Sequence, residues 1–577
     1  MSAVVGVPER QTPNSPTPEP EFVRHFELIA GSPGGVPRLR ELILSLAVQG
    51  KLLPQDPNDE PAGDLLRRIH SAKRCVKASG QIRSDKDLPP IDEEEIGFKI
   101  PPSWCWVRLG EITNYGSPTK AGAIHADSWV LDLEDIEKGS GRLLNRVRHS
   151  DRPSISEKNA FNTGDVLYGK LRPYLNKVLV ADEPGVCSSE LVPFRCHGDW
   201  DPGYFKLALS SPMFLRYVNA RSYGMKMPRL GTDDARRSVL PLPPLQEQAR
   251  IVARVDELMR LCDDLEAKGR LEAERQARLL ETLLGTLTES TTAKELSANW
   301  KRVAEHFDQL FDRVEAVDAL EKALLQLAVR GLLVPQDPND EPASLLLRRI
   351  RSDKERLMIE GRIKRDKPLP SLDAGEAPFE LPTGWSWVRL GSIAGVERGG
   401  SPRPIEAFLT DSPEGLNWIK IGDTEKGGKY ITSTREKIRP EGLSKTRKVY
   451  PGDFLLTNSM SFGRPYISQI EGCIHDGWLR ISPPSSLDKD YLYLLLSSSF
   501  MRELFIAAAA GGVVQNLNAD KVRGVPIPMP PLAEQARIVT RAAELRRLCA
   551  DLRKRLERRS VSQAALADAL IDQALAA

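Results

Sequence analysis

The stretch AVQGKLLPQDPNDEPA at residues 47–62 returns as AVRGLLVPQDPNDEPA at residues 328–343. The offset of 281 residues persists between FKIPPSWCWVRLG, which starts at Phe98, and FELPTGWSWVRLG, which starts at Phe379. A third block, PLPPLQEQARIV from Pro241, matches PMPPLAEQARIV from Pro528 at an offset of 287. This period is far too long for a solenoid. The chain therefore contains two copies of one globular unit, and we expect a pseudo-two-fold molecule.

Length and composition exclude several classes of protein. The chain has 577 residues, with 81 Lys and Arg against 79 Asp and Glu. Its size predicts about three to five structural units, and its charge balance gives no global basic field. No apolar run approaches the roughly 18–20 residues of a membrane span, and no secretory signal is expected. Seven scattered cysteines without a C-x-x-C spacing predict a reducing cytoplasm.

Both copies have the same internal order. A helical hairpin is predicted first, a mixed domain containing two tryptophans second, and a long polar helix last. Five prolines among the first twenty residues predict a disordered N-terminal tail. The predicted boundaries are a disordered tail 1–36, an N-terminal helical region 37–97, a first mixed domain 98–243, a central helical and coiled-coil region 244–378, a second mixed domain 379–530 and a C-terminal coiled-coil helix 531–577.

The two closing helices, predicted at 245–288 and 532–575, carry heptads. The apolar positions of the first are Ile251, Val255, Leu258, Cys262 and Leu265. Those of the second are Ile538, Ala542, Leu545, Cys549, Leu552 and Leu556. We predict an antiparallel coiled coil, because a two-fold axis would bring the equivalent seams face to face. Two unrelated amphipathic surface helices are the alternative.

The mixed domains are predicted to be α/β. Short β-rich runs such as 178–180 and 419–421 alternate with Gly-Asp and Pro turns. Apolar helical stretches near the domain ends, 204–218 and 491–510, argue against a sandwich.

The two copies share a framework but differ at polar loop positions. The Gly-Asp and Arg-Pro-Tyr strings recur, yet VLYGKL in the first copy stands against FLLTNSMSFG in the second. Ser188, Ser189 and Glu190 correspond to His475, Asp476 and Gly477, and Arg229 corresponds to Asn516. Side chains of these types can match the hydrogen-bonding groups of base edges in the major groove. Ordinary drift of surface loops after duplication is the alternative.

The sequence offers no recognisable catalytic site. It has no Walker A motif, no G-x-G-x-x-G and no Asn-Pro-Pro-aromatic motif of adenine methyltransferases. The single Glu-x-Lys, Glu266-Ala267-Lys268, falls in a heptad helix, where a solvated face is the simpler interpretation. His475-Asp476 could form an acid/base pair, but no nucleophile or metal set accompanies it. We therefore predict a chain without catalytic activity and without a metal site.

Four repeated features of the sequence point to a known family. They are the duplicated PQDPNDEPA, the W-x-W-V-R-L-G strings, the pair GDVLYGKLRPYLNK and GDFLLTNSMSFGRPYI, and the PPL-x-EQ-ARIV helix starts. Together they resemble the specificity (S) subunit of type I restriction-modification systems, over about residues 37–575. The resemblance implies that each mixed domain is a target recognition domain for one half of a bipartite, asymmetric double-stranded DNA site. It also implies that the helical regions space the two domains and dock two modification (methyltransferase) subunits.

The resemblance assigns the chemistry to partner subunits. S-adenosylmethionine, ATP and Mg would belong to the modification and restriction (translocase/endonuclease) subunits, and this chain would need no cofactor. A coiled-coil scaffold that binds only protein and a free-standing endonuclease are the alternative functions.

The candidate DNA-binding residues follow from the comparison of the two copies, because recognition loops do not form a fixed motif in this family. They are Lys170, Arg172, Ser188, Ser189, Lys226 and Arg229 in the first copy, and Asn458, Ser459, Arg464, His475, Asp476, Gln515, Asn516 and Lys521 in the second. Arg172 and Arg464 occur in both copies, so we assign them to phosphate contacts or to structure.

Features that the copies share should not read different half-sites. Trp104 with Trp106, and Trp385 with Trp387, are therefore predicted to be core residues and not base-stacking platforms, which are the alternative. The repeated PQDPNDEPA segments are predicted to dock the partners. A role as simple helix-linking turns is the alternative for them.

Overall fold

A computed structural model of the chain describes residues 21–78, 88–117, 119–153, 158–365, 368–425, 427–458, 463–509 and 517–576. The contacts divide the chain into two compact units. Unit 1 comprises Met1–Glu272 and Ser560–Ala577, and unit 2 comprises Ala273–Arg559.

Unit 1 begins with three helices, which are α1 (Phe26–Ala30), α2 (Gly35–Gln49) and α3 (Ala62–Ala78). The predicted disorder of residues 1–36 is wrong from residue 21 onward, while residues 1–20 lie outside the described ranges. Phe22, Phe26 and Ile29 are buried in the core of unit 1. Their spacing of four and three residues places them on one helical face, which the proline-rich beginning of the tail obscured.

The described residues of the first mixed domain form ten short strands and four short α-helices. The strands are β1 (Cys105–Arg108), β2 (Thr119–Lys120), β3 (Trp129–Leu131), β4 (Val147–Arg148), β5 (Asn159–Phe161), β6 (Val166–Gly169), β7 (Val178–Val180), β8 (Gly185–Cys187), β9 (Leu191–Phe194) and β10 (Val239–Leu242). The helices are α4 (Leu109–Ile112), α5 (Pro202–Ser210), α6 (Pro212–Arg221) and α7 (Thr232–Arg237), and α8 (Leu245–Glu289) follows the domain. The sheets have the orders β2-β5-β8-β3-β4, β7-β6-β9 and β1-β10.

Unit 2 repeats this order. Its first helices are α9 (Ala293–Glu305), α10 (Phe307–Leu310), α11 (Val314–Val329) and α12 (Ala343–Ile359). Helices α11 and α12 match α2 and α3, so both predicted helical hairpins are confirmed.

The second mixed domain has eleven strands among the described residues. They are β11 (Ser386–Arg389), β12 (Gly395–Arg398), β13 (Leu416–Ile419), β14 (Tyr430–Ile431), β15 (Glu436–Ile438), β16 (Arg447–Val449), β17 (Phe454–Thr457), β18 (Pro465–Ser468), β19 (Gly472–Ile474), β20 (Trp478–Ser482) and β21 (Pro526–Met529). The helices are α13 (Leu390–Ile393), α14 (Lys489–Ser497), α15 (Ser499–Ala509) and α16 (Ala519–Gly524), followed by α17 (Leu532–Ala576). The sheets have the orders β12-β20-β17-β18-β14, β15-β13-β19-β16 and β11-β21.

An antiparallel pair of strands closes each mixed domain at its base. Strand β1 pairs with β10 so that Trp106 lies opposite Pro241, and β11 pairs with β21 so that Trp387 lies opposite Pro528. The chain therefore enters and leaves each domain at the same place, with a long helix starting directly behind it. This arrangement confirms the predicted α/β class and the internal repeat.

Each long helix contributes to the cores of both units. In unit 1, the α8 residues Val255 and Cys262 belong to the same core as Ala567 from the end of α17. In unit 2, Cys549 of α17 belongs to the same core as Leu287 from the end of α8. In each core the beginning of one long helix thus accompanies the end of the other, as antiparallel helices require. The observed bounds agree with the predicted helices to within one residue.

In the ranges that the structure describes, no single helix is long and apolar enough to cross a membrane. Helices α14 and α15 pass that test together by length and composition only, and they are bent by 64° at their junction.

Candidate nucleic-acid interface

Three loops of the first mixed domain converge on one surface. They are residues 170–176 after β6, 188–190 before β9 and 223–231 between α6 and α7. The backbone N–H of Lys170 donates to the carbonyl of Glu190 at 3.0 Å, and the N–H of Arg172 donates to the carbonyl of Pro228 at 2.7 Å. These bonds bring together all six residues predicted for this copy, because each of the three loops carries two of them.

Arg172 is held in an uncommon backbone conformation. Its φ of 50° lies in the left-handed region, which few non-glycine residues adopt. Its side chain is exposed while the following Pro173 is buried. The equivalent Arg464 is also exposed, and its N–H donates to Oγ1 of Thr457 at 2.9 Å. Both arginines are thus anchored through their backbone and present their guanidinium groups to solvent, as phosphate contacts require.

Arg229 forms an ion pair that the second copy cannot form. Its Nη2 lies 3.0 Å from Oε1 of Glu190, and its Nε lies 3.2 Å from Oε2. The carboxylate of Glu190 raises the pKa of Arg229 above its usual value. The corresponding residues of the second copy are Asn516 and Gly477, so this charge pair belongs to the first domain alone. In the same loops, Lys226 and Ser189 are exposed and Ser188 is half-buried.

In the second mixed domain, His475 and Asp476 lie in the turn between β19 and β20. The hydroxyl of Ser401 donates to Oδ1 of Asp476 at 2.9 Å and holds the pKa of that carboxyl below its usual value. The N–H of Gly477 donates to Nδ1 of His475 at 2.9 Å. Burial lowers the pKa of His475, which favours the neutral imidazole. The pair therefore offers a negative acceptor beside a neutral ring.

Sequence comparison missed the loop that supports this turn. A Cβ on Gly399 would lie 2.1 Å from the carbonyl oxygen of His475, so this close approach requires glycine. The next residues, Gly400-Ser401-Pro402, repeat the tripeptide Gly116-Ser117-Pro118 of the first copy, of which Pro118 lies outside the described residues. The recurrence of this tripeptide in both copies was the sequence signal that could have identified the loop. It adds Ser401, which contacts Asp476, to the residues near the recognition loops.

Asn458 lies inside the second domain and not on its surface. It is 1% exposed, and its Nδ2 donates to the carbonyl of Asp476 at 2.7 Å. Its own carbonyl accepts from the N–H of Leu517 at 3.3 Å. Asn458 therefore holds two loops together, and its burial corrects the expectation that its amide is offered to DNA. The polar sequence suggested exposure, but the backbone carbonyl of Asp476 and the backbone N–H of Leu517 each needed a hydrogen-bond partner, which Asn458 provides.

The remaining predicted residues of this copy divide into two groups. Lys521 is half-buried at the start of α16, where its N–H donates to Oδ1 of Asn518 at 2.8 Å. Ser459, Gln515 and Asn516 lie outside the described residues.

Identical polar contacts lie at the base of both mixed domains. Nε1 of Trp104 donates to Oε2 of Glu247 at 2.8 Å, and Nε2 of Gln55 donates to Oε1 of the same carboxylate at 2.7 Å. In unit 2, Trp385 and Gln336 donate to Glu534, each at 2.8 Å. Burial raises the pKa of both glutamates.

The prediction that the tryptophans are core residues is confirmed for one tryptophan of each pair. Trp104 and Trp385 are 6% and 7% exposed. Trp106 and Trp387 are half-buried, and Trp387 donates to the carbonyl of Phe379 at 3.2 Å.

Part of each PQDPNDEPA segment serves the interior of its own unit. Both oxygens of Asp59 accept from Arg250, and both oxygens of Asp340 accept from Arg537. The alternative interpretation, a structural turn, therefore explains why the aspartates recur. Residues 54–58 and 335–339 remain exposed.

No group of three or more His, Cys, Asp and Glu side chains that could hold a metal ion exists among the described residues.

The chain is similar to several known proteins. A family model described as the type I restriction modification DNA specificity domain matches residues 382–558. The EcoEI and EcoAI type I restriction enzyme specificity subunits of Escherichia coli are each 34% identical to this chain, and each match covers 94% of both chains. An HsdS subunit crystal structure from Thermoanaerobacter tengcongensis is 21% identical, with a TM-score of 0.42 over 83% of this chain and 98% of that one.

The chain is thus a tandem repeat of two similar α/β domains that carry different polar loops. The chain belongs to the specificity subunits of type I restriction-modification systems, and this assignment rests on the two E. coli sequences.

Proposed function

We propose that this chain is the non-catalytic DNA-reading subunit of a cytoplasmic type I restriction-modification complex. Each mixed domain reads one half of a bipartite, asymmetric double-stranded DNA site. The observation that carries this proposal is the contrast within the repeat. The contacts at the base of the two domains are the same residue for residue, whereas the polar loops above them differ. A reader of two unlike half-sites needs this combination, because the scaffold can be shared but the base contacts cannot.

The exposed loop residues divide into two kinds of contact. Arg172 and Arg464 occur in both copies and suit phosphates, which are the same in every sequence. The ion pair of Arg229 with Glu190 and the Ser401-supported Asp476 differ between copies and suit base edges, where donors and acceptors differ. The phosphate contacts would position the duplex, and the copy-specific contacts would supply sequence preference.

The first experiment locates the site and measures binding to it. Methylation sequencing of the host genome gives the bipartite sequence. The full-length chain, assembled with its modification subunits, is then titrated against that duplex and against two duplexes in which one half-site is scrambled. We expect each scrambled half-site to weaken binding. Equal affinity for all three duplexes would favour the protein-only scaffold, and divalent-metal cleavage by the purified chain alone would favour a nuclease.

The helical regions are proposed to dock two modification subunits, which would bring S-adenosylmethionine. Restriction subunits with ATP and Mg would then join. The exposed, identical residues 54–58 and 335–339 suit this role, since two equal surfaces would bind two copies of one partner.

Matched variants of the two copies test the docking. Asp337→Lys with Asn339→Lys changes the second surface, and Asp56→Lys with Asn58→Lys changes the first. Neither pair touches the ion pairs of Asp59 and Asp340. We expect either pair to reduce the number of bound modification subunits from two to one by native mass spectrometry, with half-site preference unchanged. Two bound subunits on the protein carrying all four substitutions would contradict the docking proposal.

The long helices are proposed to set the distance between half-sites. Helices of 45 residues span roughly 68 Å, which leaves room for half-sites about one turn, roughly 10 base pairs, apart. Adding one heptad to both helices lengthens the pair by about 10 Å and preserves the apolar seam. The tolerated spacer should then grow by about three base pairs with both half-sites unchanged. Methylation of the original spacing alone by a folded, partner-bound insertion protein would assign the spacing to another element.

A further inference from the structure

The recognition loops of the first mixed domain expose large apolar side chains. Tyr223, Met225 and Met227 are all exposed, and Met225 is as accessible as it would be in an extended chain. Tyr174, in the neighbouring loop, is about half exposed. Apolar groups gathered at one surface in this way usually mark an interaction site.

The loop that carries these residues is held by its own backbone. Tyr223 and Arg229 exchange two hydrogen bonds, with N–O distances of 3.1 and 2.9 Å, and so close a hairpin around residues 224–228. The hairpin is tied to the adjacent loop by the bond from Arg172 to Pro228. Gly224 has a φ of 106°, which a side-chain-bearing residue would rarely adopt, and Met225 follows it at the turn. The exposure of Met225 is thus built into the hairpin.

The charges around the hairpin indicate which kind of partner binds it. Lys226 lies between the two methionines, and the exposed cations Arg172 and Arg229 lie at its base. A surface on which cations alternate with apolar side chains matches a duplex, whose phosphates flank stacked, apolar bases. The two copies differ here as well. At the offset of 287 the residue that corresponds to Met225 is Gly512, so the second copy has no side chain at the position of Met225.

We propose that the hairpin 223–229 is an apolar wedge that inserts Met225 at a base-pair step of the first half-site. Lys226 and Arg172 contact the flanking phosphates. This inference rests on the proposed function and adds a second mode of reading to it. Insertion partly unstacks the step, and the cost is lowest at flexible pyrimidine–purine steps. The first domain therefore reads the deformability of its half-site in addition to base edges.

The test uses the full-length chain with its modification subunits and a series of bipartite duplexes. Each duplex carries 2-aminopurine, whose fluorescence rises on unstacking, at one position of the first or the second half-site. We expect wild-type protein to raise the fluorescence at one step of the first half-site. Met225→Ala should abolish that rise and weaken binding by about tenfold or more, while Met225→Leu should retain both.

Controls separate this inference from the proposed function. Ile359→Ala truncates an exposed apolar side chain on α12 and should change neither signal. Lys226→Ala should weaken all duplexes alike, as the loss of a phosphate contact does. If wild-type protein prefers the bipartite duplex but Met225→Ala keeps full affinity and fluorescence, the wedge is overturned and the proposed function stands. If Met225→Ala instead loses a modification subunit with DNA binding unchanged, the hairpin is a protein-docking surface and the wedge is likewise overturned. If wild-type protein shows no preference for the bipartite duplex, the proposed function fails first.

Discussion

The base of each mixed domain and the loops above it have diverged to very different degrees. At the base, tryptophan, glutamate and glutamine form the same network in both copies, with donor–acceptor distances of 2.7–2.8 Å. In the loops, Arg229 pairs with Glu190 in one copy, and Asp476 accepts from Ser401 in the other.

This difference shows which contacts are constrained by folding and which are free to vary. A buried carboxylate that serves two donors cannot change one partner without leaving a polar group unpaired. An exposed loop residue carries no such penalty, so it can differ between the two copies. The copies therefore agree where burial forces agreement and differ where solvent permits it.

The largest expected effect comes from removing a tryptophan at the base. Trp385→Ala removes a buried ring and leaves Glu534 without one of its donors, which should lower the free energy of unfolding by about 3–5 kcal/mol. Trp104→Ala should cost a similar amount, because its contacts are the same. Urea unfolding of both proteins measures this, with Trp387→Phe as a half-buried control of small effect. A loss below about 1 kcal/mol in one copy alone would mean that the tryptophan–glutamate networks of the two mixed domains are not equivalent.

The next effect concerns the copy-specific ion pair. Arg229→Ala should cost about 1–3 kcal/mol of binding at one position of the first half-site if the guanidinium reads a base. Glu190→Ala should instead strengthen binding to all duplexes, because it removes a negative charge that neutralises Arg229. Fluorescence anisotropy against single-base variants of both half-sites distinguishes these outcomes. An equal loss at both half-sites for Arg229→Ala would reassign it to a phosphate contact.

A smaller effect should appear in the pH dependence of the free energy of unfolding, and it should be the same for the buried glutamates of both mixed domains. Burial raises the pKa of Glu247 above its ordinary value of 4.5, so the folded protein binds this proton more tightly than the unfolded chain. Relative to Glu247→Gln, the wild-type protein should gain stability as the pH falls from 7 through the raised pKa, and the gain should level off below about 4.5. Glu534→Gln should behave in the same way, since Glu534 has a raised pKa with the same causes. A difference in unfolding free energy that stays constant between pH 7 and 4.5 would contradict this account.

The smallest effect tests an ion pair whose polarity is reversed between the copies. Arg40 of α2 contacts Glu266 of α8 at 2.7 Å, whereas Glu321 of α11 contacts Arg553 of α17 at 2.6 Å. These are equivalent positions with opposite charges. Arg40→Glu should destabilise unit 1 by roughly 0.2–1 kcal/mol, because the pair is partly exposed, and adding Glu266→Arg should restore part of the loss. Thermal unfolding that does not respond to the second change would show that the pair contributes nothing.

The repetitive elements could be predicted well from sequence. Both long helices were predicted with bounds that agree with the structure to within one residue. Burial of one helical face produces a regular spacing of apolar residues that can be recognised in the sequence. The burial of Trp104 and Trp385 was predicted correctly from the presence of these tryptophans in both copies. The ordered residues 21–36, which include α1 and the start of α2, were missed because the proline-rich start of the tail dominated its composition.

The candidate site was predictable only in part. The comparison of the copies pointed to loops that the fold brings together, since Lys170, Arg172 and Arg229 lie on one surface. It could not show that Asn458 is turned inward, because a polar side chain that satisfies buried backbone groups looks the same in sequence as one that faces solvent. It also passed over Met225, because apolar residues are assigned to the core by default and only the fold shows the hairpin that exposes this one.

The central claim is that each mixed domain reads its half-site independently, and exchange of one domain tests it most directly. Residues 101–243 would be replaced by the equivalent domain of a related specificity subunit with a different target, and the methylated sites would be mapped across a genome. The account predicts that the half-site of the exchanged domain changes to that of the donor, while the other half-site and the spacer remain the same. A change in both half-sites, or in the half-site of residues 379–530 alone, would contradict it.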